Sequence, residues 1–196
     1  MEGQVANDST VAGYLQPTGT PPTEDADLDS IFQQLIVGIT GLPGNMVRPR
    51  WQPTVPKQPD PATNWCAVGV TGIEHDANSY EQMHTDGLSE TFIRHEIITV
   101  LCSFYGLNAL SNAAQARDGM YVSQNNSTLD QYEMGLVEVG STVTAPELVN
   151  QQWIRRFDLS MRIRRRVVRT YQVLNVLSAQ ASVDSDPRTE SVIVDQ

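Results

Sequence analysis

Apolar and polar residues alternate over residues 157–164, which read Phe157-Asp158-Leu159-Ser160-Met161-Arg162-Ile163-Arg164. Successive side chains of a β-strand point to opposite faces of the sheet, so this pattern predicts a strand between Trp153 and Tyr171 with one buried face and one charged face. Arg165 interrupts the alternation, which predicts a β-bulge or the end of the strand near that residue.

Other strands are predicted from β-prone runs of residues. Trp65–Ile73 is a short run, and Ser89–Tyr105 is a longer one in which every second residue from Ile98 to Phe104 is apolar. The polar stretch Glu74–Gly87 joins them, and Met134–Val139 is a weaker strand. Residues 171–183 fit a strand or a helix, and their periodicity does not decide between the two.

Helical periodicity occurs in two places. The first apolar stripe predicts a helix that begins near Asp27 or Asp29 and ends by Gly41; its members are Leu28, Ile31, Phe32, Leu35, Ile36 and Ile39. The second helix is predicted over Leu107–Asp118, with Gly119 as its C-cap and with a face of small and apolar residues, namely Leu107, Leu110, Ala113 and Ala114. Thr144–Val149 has the spacing of a capping box on a short helical turn. The fold class is therefore α+β, a mostly antiparallel sheet flanked by helices.

The chain divides into a central domain and two polar ends. We expect a flexible N-terminal tail over residues 1–26, one domain over residues 27–183 and a flexible C-terminal tail over residues 184–196. Within the domain, residues 43–61 contain six of the eleven prolines. Because proline disrupts helices and central strands, this segment is predicted to be an extended, stiff arm.

Charge is distributed unevenly along the 196 residues. The formal charge is −10, yet residues 155–169 contain seven arginines and a single acid, Asp158, which leaves that segment at +6 and the rest of the chain at −16. We call this segment the arginine stripe. It could contact an acidic neighbouring subunit, pair with carboxylates of its own chain as a solvated strand face, or hold DNA phosphates. An acidic chain is a poor general nucleic-acid coat, so subunit contact is favoured.

Contact residues are predicted on the arginine stripe and on the proline-rich arm. The arm carries arginine and tryptophan, residue types that often dominate binding energy at protein interfaces, although such a loop can equally fold back on its own domain. The predicted interface residues are Arg48, Arg50, Trp51, Arg155, Arg156, Arg162, Arg164, Arg166 and Arg169.

The sequence predicts no catalytic, metal or cofactor site. His95-Glu96 begins like a zinc-protease motif, but Thr99 stands where the second histidine is needed, and the run is predicted to be a strand. Cys66 and Cys102 lie in apolar runs and are interpreted as core thiols, and a cysteine–histidine nucleophile with His75 or His95 is the weaker alternative. Neither a signal peptide nor a membrane-spanning run is apparent, so the chain is expected to be made and kept in a cytoplasm.

Several stretches together resemble the neck-terminator family of tailed bacteriophages. These stretches are Val47-Arg48-Pro49-Arg50-Trp51-Gln52-Pro53, Pro56-Lys57-Gln58-Pro59, Asn64-Trp65-Cys66-Ala67-Val68-Gly69-Val70-Thr71, Arg117-Asp118-Gly119-Met120, Ala145-Pro146-Glu147-Leu148-Val149-Asn150, Trp153-Ile154-Arg155-Arg156-Phe157-Asp158 and Arg164-Arg165-Arg166-Val167-Val168-Arg169. The similarity spans about residues 28–180 and includes no catalytic motif.

The resemblance implies a structural virion protein of the neck that is not an enzyme. It implies a homo-oligomeric ring, a hexamer, that caps the tail tube as a terminator and joins the tail to the head-side connector. The tail tube protein, the connector and the tail sheath are the partners considered, and DNA would pass through the lumen without sequence-specific binding. The alternative is a head-completion stopper that contacts DNA. A metal-dependent hydrolase using His95 and Glu96 ranks last.

Overall fold

The computed structural model describes residues 14–54, 56–85, 88–149, 151–173, 178–185 and 188–195. In chain order the elements are β1 (Pro17–Thr18), α1 (Asp25–Thr40), a 3-10 turn (Gly44–Met46), β2 (Val47–Pro49), β3 (Trp65–His75), β4 (Tyr80–Met83), β5 (Ser89–Tyr105), α2 (Ala109–Gly119), α3 (Ser123–Asp130), β6 (Met134–Thr144), β7 (Glu147–Val149), β8 (Gln152–Ile154), β9 (Arg156–Gln172), β10 (Ser178–Ser185) and β11 (Arg188–Asp195). The predicted α+β class with a mostly antiparallel sheet is confirmed.

The larger of two units comprises residues 22–79 and 93–167. Its strands follow the order β6-β9-β5-β3-β2, in which β3 and β5 are antiparallel, β6 and β9 are antiparallel, and β2 lies parallel to β3. The hairpin β7–β8 forms a separate two-stranded sheet. The alternating apolar residues of β5 and β9 therefore lie side by side.

One face of this sheet is covered by helices and forms the main core. Its members from the sheet include Val68, Val100, Cys102, Phe104, Leu159, Met161 and Ile163, and those from the helices include Phe32, Ile36, Ala113 and Ala116. Full burial of one large apolar side chain contributes about 1.5–3 kcal/mol, so this face provides most of the hydrophobic stabilisation of the unit. The stripe predicted for α1 is confirmed, and Gly41 ends that helix at φ 68°.

The smaller unit comprises the described parts of residues 1–21, 80–92 and 168–196. Here β1 pairs with Thr170 and Tyr171 of β9, and the Phe92 and Tyr171 rings meet edge to face at 5.3 Å. Strands β10 and β11 form an antiparallel hairpin. The long strands β5 and β9 contribute residues to both units.

The C-terminal segment that is predicted to be a flexible tail, residues 184–196, includes paired backbone. Residues 178–185 pair with residues 188–195, and the flexibility of this segment stays a prediction. Residues 191–194, Ser-Val-Ile-Val, are β-prone, and pairing with β10 satisfies their backbone. The ambiguous segment 171–183 is strand wherever it is described, except for Val173, which follows β9. In the N-terminal tail, residues 1–13 lie outside the described residues.

Two predicted breaks in regular structure were wrong. Strand β9 continues through Arg165 to Gln172, and Arg165 is buried in phase with Ile163 and Val167. In the pairing of β9 with β6, the register shifts lie at Leu136–Glu138 and Val139–Thr142 of β6 and not at Arg165. The capping-box turn at Thr144–Val149 is instead strand β7, since Glu147–Val149 finds a partner strand immediately after it. A four-residue motif cannot outweigh backbone pairing.

The prediction of which face of the second helix is buried was also wrong. Leu107 and Leu110 are 69% and 52% exposed, and the buried residues of α2 are Ala109, Ala113 and Ala116. Gly119 is not a left-handed C-cap but the last residue of α2, and a Cβ there would collide with Cγ2 of Ile39 in α1. The glycine allows the two helices to approach each other closely. Strand β4 and helix α3 were not predicted.

Replacing Gly119 with alanine is expected to lower the free energy of unfolding by about 1–3 kcal/mol, because the added methyl overpacks the contact with Ile39. Gly38 in α1 is the matched control, since a Cβ there meets no atom within 4 Å. Gly38→Ala should raise stability by about 0.5–1 kcal/mol through helix propensity. Urea denaturation followed by circular dichroism checks both, and equal effects of the two substitutions would contradict the close helix contact.

Candidate functional site

From Arg156 onward the arginine stripe lies on β9, and its side chains point to both faces of the sheet. Arg162, Arg164 and Arg166 point away from the helices, whereas Arg165 points into the core with Ile163. The outward arginines therefore lie on the face that the helices leave uncovered. The chemistry of the stripe depends on which of its guanidinium groups already have a partner.

Arg162 is bound on both sides by carboxylates of its own chain. Its Nη2 lies 3.1 Å from Glu74 of β3, and its Nη1 lies 3.2 Å from Glu138 of β6. Arg166 donates from Nη1 to both oxygens of Glu133, at 2.9 and 3.2 Å. These carboxylates are exposed, so each pair contributes only about 0–1 kcal/mol. These ion pairs nevertheless neutralise the charges of Arg162 and Arg166, which reduces the attraction of these two residues for DNA phosphates.

Arg165 is the buried member of the stripe. Its side chain is 4% exposed; Nη2 lies 2.7 Å from Oε2 of Glu96, which is 17% exposed, and Nη1 donates to the carbonyl of Thr23 at 2.6 Å. Burial of an isolated guanidinium costs free energy because the group loses its hydration. The ion pair with Glu96 and the hydrogen bond to the Thr23 carbonyl offset that cost. Arg165 is thus structural, and it fastens the segment just before α1 to the sheet.

Arg156 belongs to a polar network that reaches the arm. Arg50 donates to the hydroxyl of Ser103 at 2.7 Å, and Arg156 holds Asp158 through two hydrogen bonds of 2.8 Å. Ser103 in turn binds Asp158. The arm and strands β5 and β9 are therefore joined by polar contacts that run from Arg50 through Ser103 and Asp158 to Arg156.

Asp158 is the titrating centre of this network. Burial by itself raises the pKa of its carboxyl, but hydrogen bonds from Arg156 and Ser103 and the charges of Arg156 and Arg50 outweigh burial and lower the pKa below the usual value. A group whose pKa is lower in the folded state stabilises the fold above its unfolded pKa of about 3.9. That stabilisation is lost as the pH falls through the depressed folded pKa.

Acid is therefore expected to destabilise the chain partly through Asp158. In thermal melts from pH 6 downward, the Asp158→Asn variant should start from a lower Tm and show a smaller further loss below about pH 4 than the unmodified chain. Asp130→Asn, at an exposed position on α3, is the control and should keep the original acid dependence. Identical pH profiles for the Asp158 variant and the unmodified chain would rule out this contribution.

The proline-rich arm folds back on its own domain along part of its length. Val47 is fully buried, and the backbone N–H of Arg50 donates to Val68 at 2.7 Å. Arg48 donates to the carbonyl of Lys57 at 2.9 Å, and its guanidinium lies 5.8 Å from the centre of the Trp65 ring. Trp51 remains 67% exposed. Within the arm, Val47–Pro49 form strand β2, and the stiffness of the whole segment 43–61 stays a prediction.

Arg155 and Arg164 differ from the other stripe residues. Both are exposed, and within the described part of the chain neither side chain has a hydrogen-bond or ion-pair partner. Arg169 is half-buried. Of the nine predicted interface residues, Arg155, Arg164 and Trp51 are therefore the ones whose side chains are most available to another molecule.

The residues considered for catalysis are not brought together. His95 and Glu96 are neighbours on a strand and point to opposite faces; His95 Nδ1 lies 3.8 Å from Asp76, and Glu96 is held by Arg165. Cys66 and Cys102 are both buried free thiols, as predicted. Burial raises the pKa of Cys66, which opposes formation of a reactive thiolate. Among the described residues, no group of three or more potential metal ligands occurs.

One exposed feature was missed from the sequence. In the β7–β8 hairpin, Leu148 pairs directly with Trp153, and these side chains are 57% and 71% exposed. Trp153 had been predicted to begin the long strand. In the structure Gln151 connects the two strands with a positive φ of 63°, a conformation that glutamine rarely adopts, so its residue type did not signal the turn.

The sequence matches the family model described as "Phage neck terminator protein" over residues 26–188. The chain belongs to the phage neck terminator family. The match covers the whole predicted domain, and it assigns the chain a structural role in the neck of a tailed phage. No curated protein matches the sequence significantly. Among the described residues, no helix is long and apolar enough to span a membrane.

A structural family role agrees with the geometry of the arginine stripe. Guanidinium groups paired with carboxylates stabilise a fold or a contact. The side chains of interest in this neck terminator are therefore those that remain available for contact with neighbouring proteins.

Proposed function

We propose that the chain assembles into a ring of identical subunits, a hexamer by resemblance, that caps the tail tube and joins it to the head-side connector. The observation that carries the proposal is the pair of exposed arginines, Arg155 and Arg164, that lack a carboxylate partner within the described residues of a chain whose formal charge is −10. Opposite charges on one subunit favour head-to-tail contact, and head-to-tail contact generates rings when the rotation closes.

The net charge supports a passive channel. Every copy adds −10, so a ring concentrates negative charge around its lumen. Repulsion between that charge and DNA phosphates would let DNA pass without being held. The alternative role, a stopper that grips DNA, needs free cationic groups, but Arg162 and Arg166 are neutralised by Glu74, Glu138 and Glu133.

Ring formation can be tested on tail tubes of the same phage. Negative-stain microscopy of tubes mixed with the full chain should show a cap at one end, and capping should weaken in Arg155→Gln and Arg164→Gln. Arg117→Gln makes the same change of charge at an exposed position outside the stripe and should cap normally. A chain that neither self-associates nor binds tube ends contradicts the proposal.

A DNA-binding measurement separates the stopper alternative. A stopper that grips DNA loses affinity as salt rises, and substitution of Arg162, Arg164 and Arg166 by alanine weakens that binding further. For the proposed cap, we expect no DNA binding at physiological salt in either protein. Strong, salt-dependent binding that the three substitutions abolish would favour the stopper instead.

A further inference from the structure

The β7–β8 hairpin presents an apolar knob that is packed against the sheet on its inner side. Leu148 and Trp153 lie opposite each other on its outer side, while Ile154 and Val149 on its inner side pack against Ala67, Trp65 and Tyr105. The Trp65 and Tyr105 rings are stacked at 4.2 Å beneath the hairpin. A knob held in this way loses little conformational entropy when it docks, which favours tight contact.

A groove of matching character lies between α1 and α3. It has a volume of about 320 Å³. Its lining combines Ile31, Leu35, Gly38, Ile39, Leu129 and Tyr132 with the uncharged polar residues Gln34, Asn125, Thr128 and Gln131. Gly38 widens the groove because it has no side chain and a Cβ there would meet open space. A cleft of this size, with apolar walls and uncharged polar groups, accommodates a large side chain such as an indole, whose N–H can reach a polar partner.

The knob and the groove lie on opposite sides of the sheet. Ala67 and Tyr105, which contact the hairpin, alternate along β3 and β5 with Cys66 and Phe104, which pack in the core with α1. Adjacent residues of a strand face opposite ways, so the hairpin is on one face and the helices are on the other. The knob of one chain therefore cannot reach its own groove, but it can reach that of a second copy.

Charges around the two surfaces are complementary. Arg155 follows directly after strand β8, two residues beyond Trp153, and it is exposed without a partner among the described residues. Asp27 lies one helical turn before Ile31, and Asp130 adjoins Leu129; both are exposed, and neither has an ion-pair partner in the described part of the chain. The basic residue thus borders the knob, and acidic residues border the groove.

From this placement we propose that the Leu148–Trp153 knob of one subunit docks into the α1–α3 groove of the next copy of the same chain. The inference rests on the proposed ring. It names the contact that joins neighbouring subunits, with Arg155 facing the acidic rim of the groove. A knob and a socket on opposite faces of one chain make a heterologous contact, the type that builds closed rings.

Photo-cross-linking in the capped tube tests the contact directly. The full chain carrying p-benzoyl-phenylalanine in place of Trp153 is bound to tail tubes and irradiated, and isotope-labelled and unlabelled copies are mixed to identify links between subunits. We expect links to residues 31–39 or 125–132. Inter-subunit links that map elsewhere on capped tubes overturn the docking inference and leave the ring proposal intact. Absence of caps, tested separately with the unmodified chain, overturns the ring itself.

Variants separate docking from folding. Gly38→Leu places a side chain in the groove at a position where a Cβ meets no atom within 4 Å. We expect this variant to fold with an unchanged or higher Tm and to self-associate about thirtyfold more weakly, the effect of losing one hot-spot residue. Trp153→Ala should weaken association similarly, whereas Tyr80→Ala, at an equally exposed aromatic residue, should not. A Gly38→Leu chain that associates normally would overturn the inference.

A charge exchange gives an independent readout. Arg155→Asp alone should weaken association, and adding Asp130→Arg or Asp27→Arg should restore it, because the attraction is then re-formed with its signs reversed. If neither second substitution restores association, Arg155 does not face the groove, and the proposed orientation is wrong.

Discussion

Replacing Arg165 with methionine is expected to lower the free energy of unfolding by about 3–5 kcal/mol. The substitution leaves Glu96, which is largely buried, without its ion-pair partner, and it leaves the carbonyl of Thr23 without its donor. The loss is larger than for other arginines of the stripe because water cannot easily replace the guanidinium at this position. Urea denaturation monitored by circular dichroism measures it.

A double substitution identifies the cause of that loss. Arg165→Met combined with Glu96→Met removes both charges, and replacing a whole buried ion pair with apolar side chains is often nearly neutral, so most of the stability should return. Arg166→Met removes an exposed pair with Glu133 and should cost no more than about 1 kcal/mol. If the double variant is as unstable as the single one, the uncompensated charge of Glu96 is not the reason.

Gly106→Ala is expected to cost about 2–5 kcal/mol. Gly106 connects β5 to α2 with a φ of +99°, where an L side chain is strained, and its Cβ would collide with the carbonyl oxygen of Thr63. That oxygen belongs to the backbone, so it cannot move aside as a flexible side chain could. Thermal or urea unfolding of the purified variant measures the cost.

Gly135→Ala is the matched control for this position. Gly135 lies in β6, its φ is not in the left-handed region, and a Cβ there would meet no atom within 4 Å. Alanine at position 135 should change stability by no more than about 0.5 kcal/mol. An equally small change at Gly106 would show that the connection relaxes and that its tight geometry is not required.

Ion pairing within the chain alters the interpretation of the arginine stripe. Among the described ion pairs, Arg156, Arg162, Arg165 and Arg166 have carboxylate partners on their own chain. Pairing within the chain therefore occurs for those four, the contact of Arg156, Arg162, Arg166 and Arg169 with a neighbour stays a prediction, and the proposed contact rests on Arg155 and Arg164. Composition alone cannot separate the two groups, because both are arginines in one short segment.

The site was predicted less completely than the fold. Arg155, Arg164 and Trp51 were named from their residue types and are exposed in the structure, and no observation yet tests them as contacts. The Leu148–Trp153 knob and the α1–α3 groove were not predicted. Each depends on residues that become neighbours only through pairing of β7 with β8 or packing of α3 near α1.

Local periodicity was sufficient for the main strands, the first helix and the α+β class, because a half-buried strand or an amphipathic helix repeats its burial pattern every two or about every 3.6 residues. The family resemblance was likewise visible in the residues alone. Periodicity failed at Arg165, at the exposed face of α2 and at the β7–β8 hairpin. At these positions the outcome depends on partners distant in the sequence: Glu96 and Thr23 for the buried charge, Ile39 for the close approach of Gly119, and the adjacent strand for Glu147–Val149. A linear pattern records the preference of each residue, whereas burial, ion pairing and strand pairing are decided by which atoms the folded chain brings within reach.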